Sequence, residues 1–453
     1  MSVRRAVALL ALPMAAIAQT RPTTPPRPAV AAAAANVPNI IMLIVDDLGW
    51  QDLSVPLYRD TTAANRRYRT PAIEQLAAQG VAFTDAYAAA PDGVLTRAAL
   101  LSGVANRIPA GGGPTPLLPR LLRTAGYRTI HVGKTDWGAG ASAADATDAK
   151  ALGFDESWPG ARRADSLTAD AIRAIDVARA LQKPFFLYLA YDAVHHSGAG
   201  DGRFLDEVRG RTLDERDAEY ASRIAGVDQS VREISRYLAT TALTEQTLVV
   251  LLSDNGGLAA STRSGLRDLQ NAPLRSGMGS AYEGGLRVPM IVRWPRVARA
   301  GLRASTPVVA TDLFPTLLRA ARVPNATQLA GGVKGQDLAT TLANTKPVPF
   351  DRPLLWHNGA YSTKMLPGSE PFSAVRSGIW KLIYFYVGSR YELYDLSNDI
   401  GEGHEQSMKQ PEIAARMSEV LRSALIEAKV PMPIDSAYGR PFGLPGRLLV
   451  PRP

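Results

Sequence analysis

The chain is marked by blocks of apolar residues that stop abruptly at polar or ionisable ones. Asn39-Ile40-Ile41-Met42-Leu43-Ile44-Val45 runs into Asp46-Asp47, and Tyr127 to Val132 runs into Gly133-Lys134. Pro184 to Tyr191 leads toward His195, and Thr247 to Leu252 leads into Ser253-Asp254-Asn255. Continuous apolar runs rich in β-branched residues suit strands buried on both faces, as in a parallel sheet. Between them the period changes to that of amphipathic helices. The pattern predicts helices over Pro71 to Gln79, Arg97 to Leu101, Leu117 to Ala125, Asp165 to Leu181 and Ala218 to Leu238. Alternating strands and helices imply an α/β fold with a doubly wound, mostly parallel sheet flanked by helices. Ligands of such sheets bind beyond the carboxyl ends of the strands, where the polar residues of this chain collect.

After Asp312-Leu313-Phe314-Pro315 the pattern changes again. Trp380 to Tyr386 and Tyr391 to Leu396 read as two strands of an antiparallel hairpin, and Pro411 to Ala428 reads as a last amphipathic helix. These elements predict a small C-terminal α+β subdomain over residues 326–453, following an α/β domain over 38–325. At the other end, Arg4 and Arg5 precede an apolar run from Ala6 to Ile17 and a small-residue site at Ala16-Ile17-Ala18. This is the layout of a signal peptide over residues 1–18, so the mature chain is expected to be exported, periplasmic or secreted. The run is too short to span a bilayer, which takes about 20 residues, and no later stretch is a candidate span. Residues 19–37, rich in Pro and Ala, read as a flexible leader.

Composition sharpens this in two ways. With 51 basic against 42 acidic residues the net charge is +9, but the charges are dispersed and no nucleic-acid-binding block is present. Nucleic acid is therefore not expected as a partner. There is no cysteine among the 453 residues. That excludes disulfides, thiolate metal sites and a cysteine nucleophile. The candidate chemistry therefore rests on oxygen and nitrogen. Asp46-Asp47 and Asp254-Asn255 are oxygen-donor pairs at two predicted strand ends. Adjacent carboxylates repel unless a cation lies between them, and three Asp with one Asn form a hard-ligand set for Ca²⁺ or Mg²⁺.

Several ordered motifs make the chain similar to the sulfatase family, within the alkaline-phosphatase-like superfamily. They are NIIMLIVDDLGW (Asn39 to Trp50), TPAIEQLAAQGVAFTDAYA (Thr70 to Ala88), TRAALLSG (Thr96 to Gly103) and GYRTIHVGK (Gly126 to Lys134). SDNGG (Ser253 to Gly257) and YEGGLRVPMIVRWP (Tyr282 to Pro295) follow, with later segments at Ala374 to Ile383 and Glu392 to Leu396. The resemblance spans nearly all of residues 38–430. It implies that Asp46, Asp47, Asp254 and Asn255 bind a divalent metal, usually calcium. It also implies that Arg97 steadies the nucleophile site and that Lys134 and His195 contact the sulfate group. The ligand it suggests is a sulfated or otherwise anionic small molecule or glycan.

The departures from that pattern are chemical. Members of the family oxidise a Cys, occasionally a Ser, in a C-x-P-S-R-like motif to formylglycine. Anchored on Arg97, this chain reads Gly93-Val94-Leu95-Thr96-Arg97, so the nucleophile position is Gly93 and no formylglycine can form. Asp136 stands where a lysine–x–histidine motif would place histidine, and Met278 where the family usually has a sulfate-contacting lysine. Losing one preorganised electrostatic partner costs about 10²–10³-fold in rate, and losing the nucleophile removes the covalent route altogether. The expectation is a protein that keeps the metal site and is inactive or severely impaired as a sulfuric ester hydrolase. The alternative is an active metal-dependent hydrolase of sulfate or phosphate esters using water or Thr96. Thr96 otherwise reads as the cap of a helix beginning at Arg97.

Overall fold

In a computed structural model the chain is described over residues 37–105, 117–137, 149–160, 162–195, 200–212, 214–258, 271–326, 335–344, 349, 352–360 and 366–448. The signal peptide and nearly all of the leader lie outside these residues.

Among the described residues, ten strands build the first part: β1 (Asn39–Val45), β2 (Val81–Phe83), β3 (Ala86–Tyr87), β4 (Arg128–Gly133), β5 (Glu156–Pro159), β6 (Phe185–Tyr191), β7 (Thr247–Ser253), β8 (Met290–Arg293), β9 (Leu302–Ala304) and β10 (Val308–Val309). Eight of them form one sheet in the order β5-β4-β6-β1-β7-β8-β2-β9. The five from β5 to β7 are mutually parallel; β8 runs antiparallel between β7 and β2, and β2 pairs in parallel with β9. The short pair β3 and β10 forms a separate ribbon.

Both faces of the sheet are buried, which is why β1 is apolar at every position after Asn39. Ile40, Met42 and Ile44 pack on one side with Ala99, Leu100 and Leu101 and with the helix Leu313–Ala320. Ile41, Leu43 and Val45 pack on the other with the helices Pro71–Ala78, Ala164–Ala180 and Glu215–Thr240. Each fully buried Ile or Leu side chain contributes about 1.5–3 kcal/mol, so polar residues enter these strands mainly at their ends.

The predicted hairpin is half of a larger antiparallel sheet, β11 (Leu354–Asn358), β12 (Phe372–Ser377), β13 (Trp380–Phe385) and β14 (Arg390–Asp395). One face packs through Trp356, Phe372, Ile383 and Phe385 onto Tyr87, Tyr282, Leu286 and Val309 of the preceding part. The other, with Val375, Leu382 and Tyr384, is covered by Met417, Leu421 and Leu425 of the helix Pro411–Ala428. No helix among the described residues is long and apolar enough to cross a membrane.

Candidate metal and anion site

The adjacency of β1 and β7 brings the two oxygen-donor pairs together. Val45 is level with Ser253 across this parallel pair and with Tyr191 across β6, while Gly133 of β4 is level with Ala190. Four chain segments far apart in sequence therefore leave the sheet at one height: Asp46-Asp47, Asp254-Asn255, Lys134 and the loop to His195. The Ser253 hydroxyl helps fasten the first two. It accepts from the Leu48 N–H at 2.9 Å and lies 3.1 and 2.8 Å from the Val45 and Asn255 carbonyls. The His195 loop is tied in by Asp46 N–H to the Ala193 carbonyl (3.0 Å) and Val194 N–H to the Asp46 carbonyl (2.7 Å).

Asp46, Asp47 and Asp254 are buried and offer oxygens within 4.8 Å of one another. Asp47 adopts a left-handed backbone (φ 61°), and its N–H approaches Asp254 Oδ1 at 3.3 Å. Asn255 Nδ2 donates to Asp47 Oδ1 at 2.7 Å. Asp47 Oδ2 and Asn255 Oδ1 are left buried without a hydrogen-bond partner among the described residues, an arrangement that costs free energy unless something else satisfies it. Burial, reinforced by the neighbouring carboxylates, pushes the proton affinity of all three acids up, that of Asp254 to about 7. An all-oxygen set whose members lie no further apart than about twice a Ca–O bond length fits a hard divalent cation.

The cations of the site come from the other elements. Arg97 lies on the helix Gly93–Ser102 and is nearly fully buried. Its Nη1 pairs with Asp254 Oδ2 and lies 3.5 Å from Asp46 Oδ1, its Nε donates to the Asp136 carbonyl at 2.8 Å, and its Nη2 is 3.7 Å from the Asp136 carboxylate. Lys134 Nζ pairs with the second Asp46 oxygen and is 4.0 Å from Asp192. Burial alone would lower both basic groups, but the Asp254 and Asp46 charges outweigh it and hold them protonated. His195 Nε2 is 3.9 Å from Asp47 Oδ2, with its side chain 35% exposed. The Met278 N–H donates to the Gly257 carbonyl at 2.9 Å, which fixes that loop beside the end of β7.

Gly93 is the first residue of the helix and faces the acids. A Cβ there would meet Asp254 Oδ2, Arg97 Nη1 (2.5 Å) and Asn255 Oδ1 (2.9 Å). The expectation for Thr96 is corrected. The helix starts at Gly93, not Arg97, because the Asp92 side chain caps it by accepting from Val94 N–H at 2.8 Å. Thr96 is inside the helix and fully buried, its hydroxyl bonded to the Ala90 N–H and carbonyl at 3.1 and 3.2 Å. Sequence reasoning also missed Ser253 and Asp192. Their position beside the recognised Asp-Asn pair and before His195 was the available signal.

Comparison with known proteins agrees with this geometry. The sulfatase family profile matches residues 38–323. The chain belongs to the sulfatase family. A profile of the N-sulphoglucosamine sulphohydrolase C-terminal region matches residues 279–429. The chain is 28% identical to a sulfatase of Formosa agariphila, covering 87% of this chain and 90% of the relative. It is 29% identical to N-acetylgalactosamine-6-sulfatase of Mus musculus, covering 73% and 70%. The crystal structure of Ps i-CgsB in complex with k-i-k-neocarrahexaose superposes with a TM-score of 0.74 at 25% identity, covering 89% and 96%. Phosphonate monoester hydrolase of Agrobacterium radiobacter, with a TM-score of 0.59 at 18% identity, shares the fold. The family is metal-dependent, and the acidic cluster of this chain can bind a metal.

Proposed function

We propose that this chain is an exported sulfatase-family protein that binds a divalent cation, calcium in the first instance, but has lost covalent sulfate-ester hydrolysis. The observation that carries this reading is Gly93. A side chain at that position would project among Asp254, Asn255 and Arg97, where a nucleophile anchored to the metal site belongs, and glycine provides none. Leu95, two residues on, is not the proline of the family's maturation motif.

The remaining residues support ligand binding. Asp46, Asp47, Asp254 and Asn255 would hold the cation, and a cation there supplies charge neutralisation for an anionic ligand. Lys134 and His195 have side chains 20% and 35% exposed, so both can reach an anion from the solvent side while the acids stay buried. Asp136 is 54% exposed on its side chain and opposes that charge. A relative named N-acetylgalactosamine-6-sulfatase and a neighbouring structure holding a neocarrahexaose support a sulfated or other anionic glycan as the ligand.

The alternative of an active hydrolase working through Thr96 has less support, since that hydroxyl is buried against the Ala90 backbone. The test is direct. Purified, calcium-loaded protein is expected to release no product from an aryl sulfate, and measurable turnover would overturn the proposal. Hydrolysis of a phosphate mono- or diester that disappears in Thr96→Ala would favour the alternative.

A further inference from the structure

Two of the three buried carboxylates already carry an internal cation. Arg97 Nη1 pairs with Asp254 and lies 3.5 Å from Asp46, and Lys134 pairs with the other Asp46 oxygen. Arg97 reaches that place across the surface of Gly93. A Cβ on residue 93 would meet Asp254 Oδ2 and lie 2.5 Å from Arg97 Nη1, both nearer than Cβ atoms come to heavy atoms they are not bonded to.

From this juxtaposition we propose that Gly93 admits the Arg97 guanidinium into the acidic cluster as a built-in counter-cation, which competes with a divalent metal for Asp254 and Asp46. This rests on the metal-binding reading above and goes beyond it. The glycine removes a nucleophile and also sets the metal affinity of the site.

The atoms that would have to yield to a side chain at 93 are all ends of side chains. They do not yield equally. Asp254 Oδ1 is held by the Asp47 N–H (3.3 Å), and Asn255 Nδ2 donates to Asp47 Oδ1 (2.7 Å) and to the Gly256 carbonyl (2.9 Å). Arg97 is a longer side chain with more rotatable bonds, and its Nε is anchored on the Asp136 carbonyl at the site's outer side (2.8 Å). Its planar guanidinium can turn as a unit about the Nε–H···O contact through the rotatable bonds of its stem. A methyl group at 93 therefore evicts the guanidinium before it disturbs the oxygen donors.

The experiment is a double-mutant cycle on the full chain. Chelator-stripped wild type, Gly93→Ala, Arg97→Met and the double variant are titrated with CaCl₂ by calorimetry, with circular dichroism confirming the fold of each. Alanine adds bulk but no ligand atom, so a gain in affinity reports eviction alone. Gly93→Ala and Arg97→Met are each expected to bind Ca²⁺ about tenfold or more tightly than wild type, which corresponds to about 1.4 kcal/mol. The double variant should gain nothing beyond either single change, because both remove the same competitor. If Arg97→Met does not fold, the comparison of Gly93→Ala with wild type decides alone. Ca²⁺ binding by wild type with an unchanged or weaker affinity in Gly93→Ala would overturn the competition while leaving the metal site standing. Gains that multiply in the double variant would overturn it too. Absence of Ca²⁺ binding in all four proteins would remove the metal reading and the competition with it.

Discussion

Lys381 is a lysine on the inward face of β13, fully buried between two carboxylates, and Lys381→Met tests how the two parts of the molecule are joined. Its Nζ lies 2.9 Å from Glu283 Oε1 and 2.9 Å from Glu402 Oε1, with no solvent exposure on any of the three side chains. Glu283 has further support from Arg287 Nε at 2.7 Å and the Tyr87 hydroxyl at 2.8 Å, which with Lys381 outweigh burial and hold it ionised, down at about 2. Glu402 has Lys381 and the Glu283 N–H (2.6 Å), and burial together with the Glu283 charge pushes it up to about 7. Methionine leaves Glu402 with no cation. Breaking a buried pair in this way costs about 3–5 kcal/mol.

The cost depends on pH in a defined direction. A carboxylate whose folded value lies above its unfolded one contributes stability that is present below the unfolded value and lost as pH rises through the folded one. In wild type that loss runs from about pH 4.5 through about 7; removing Lys381 moves the upper limit higher. Urea unfolding followed by tryptophan fluorescence, with Trp356 in the adjoining core, should show a larger deficit at pH 8 than at pH 6. The gap between the two should be about 1–2 kcal/mol, at 1.36 kcal/mol per unit of pH over which Glu402 must keep its proton. Adding Glu402→Gln, which keeps the acceptor for the Glu283 N–H, should recover part of the loss at pH 8. A Lys381→Met protein within 1 kcal/mol of wild type at pH 8, or one whose deficit grows on acidification, would refute the reasoning.

Other outcomes follow from single contacts. Asp47→Ala removes a buried carboxylate from the acidic cluster, so elemental analysis after dialysis against calcium should find metal in wild type and none in the variant. Asp92→Ala removes the cap of the helix bearing Gly93 and Arg97 and should cost about 1 kcal/mol in chemical denaturation. Thr96→Val leaves the Ala90 N–H and carbonyl without that partner and should cost about 1–3 kcal/mol in the same measurement. Asp228 accepts the Ile73 N–H at 2.9 Å and burial raises it to about 6, so its contribution is lost as pH rises from about 4 through about 6. Asp228→Asn keeps an acceptor and should flatten that slope, gaining roughly 1–2 kcal/mol on wild type at pH 8.

The long elements were legible because burial on both faces writes itself directly into the residues. β1 after Asn39, all of β6, and β7 between Thr247 and Ser253 are unbroken apolar runs, and the helix Pro411–Ala428 shows the expected period. Short elements carried too little pattern. β2 and β8, of three and four residues, gave no period of their own, and the antiparallel insertion of β8 comes from pairing alone. The helix start moved from Arg97 to Gly93 because a side-chain cap from Asp92 overrides the poor helix propensity of Gly93, Val94 and Thr96. The strand at Trp380 was legible, but the burial of Lys381 was not, since alternation reports which face a residue occupies and not what awaits it there.

By itself the sequence determined the chemistry available: acid pairs at the ends of two apolar runs, no cysteine, and glycine at position 93. Strand order is not written in chain order. Only the tertiary structure decided that β1 lies beside both β6 and β7, so that Asp47, Asp254 and Asn255 meet in one buried cluster. It also decided which cations settle there. Arg97 and Lys134 are drawn onto Asp46 and Asp254 because buried carboxylates must be paired, and the empty face of Gly93 is what lets Arg97 arrive.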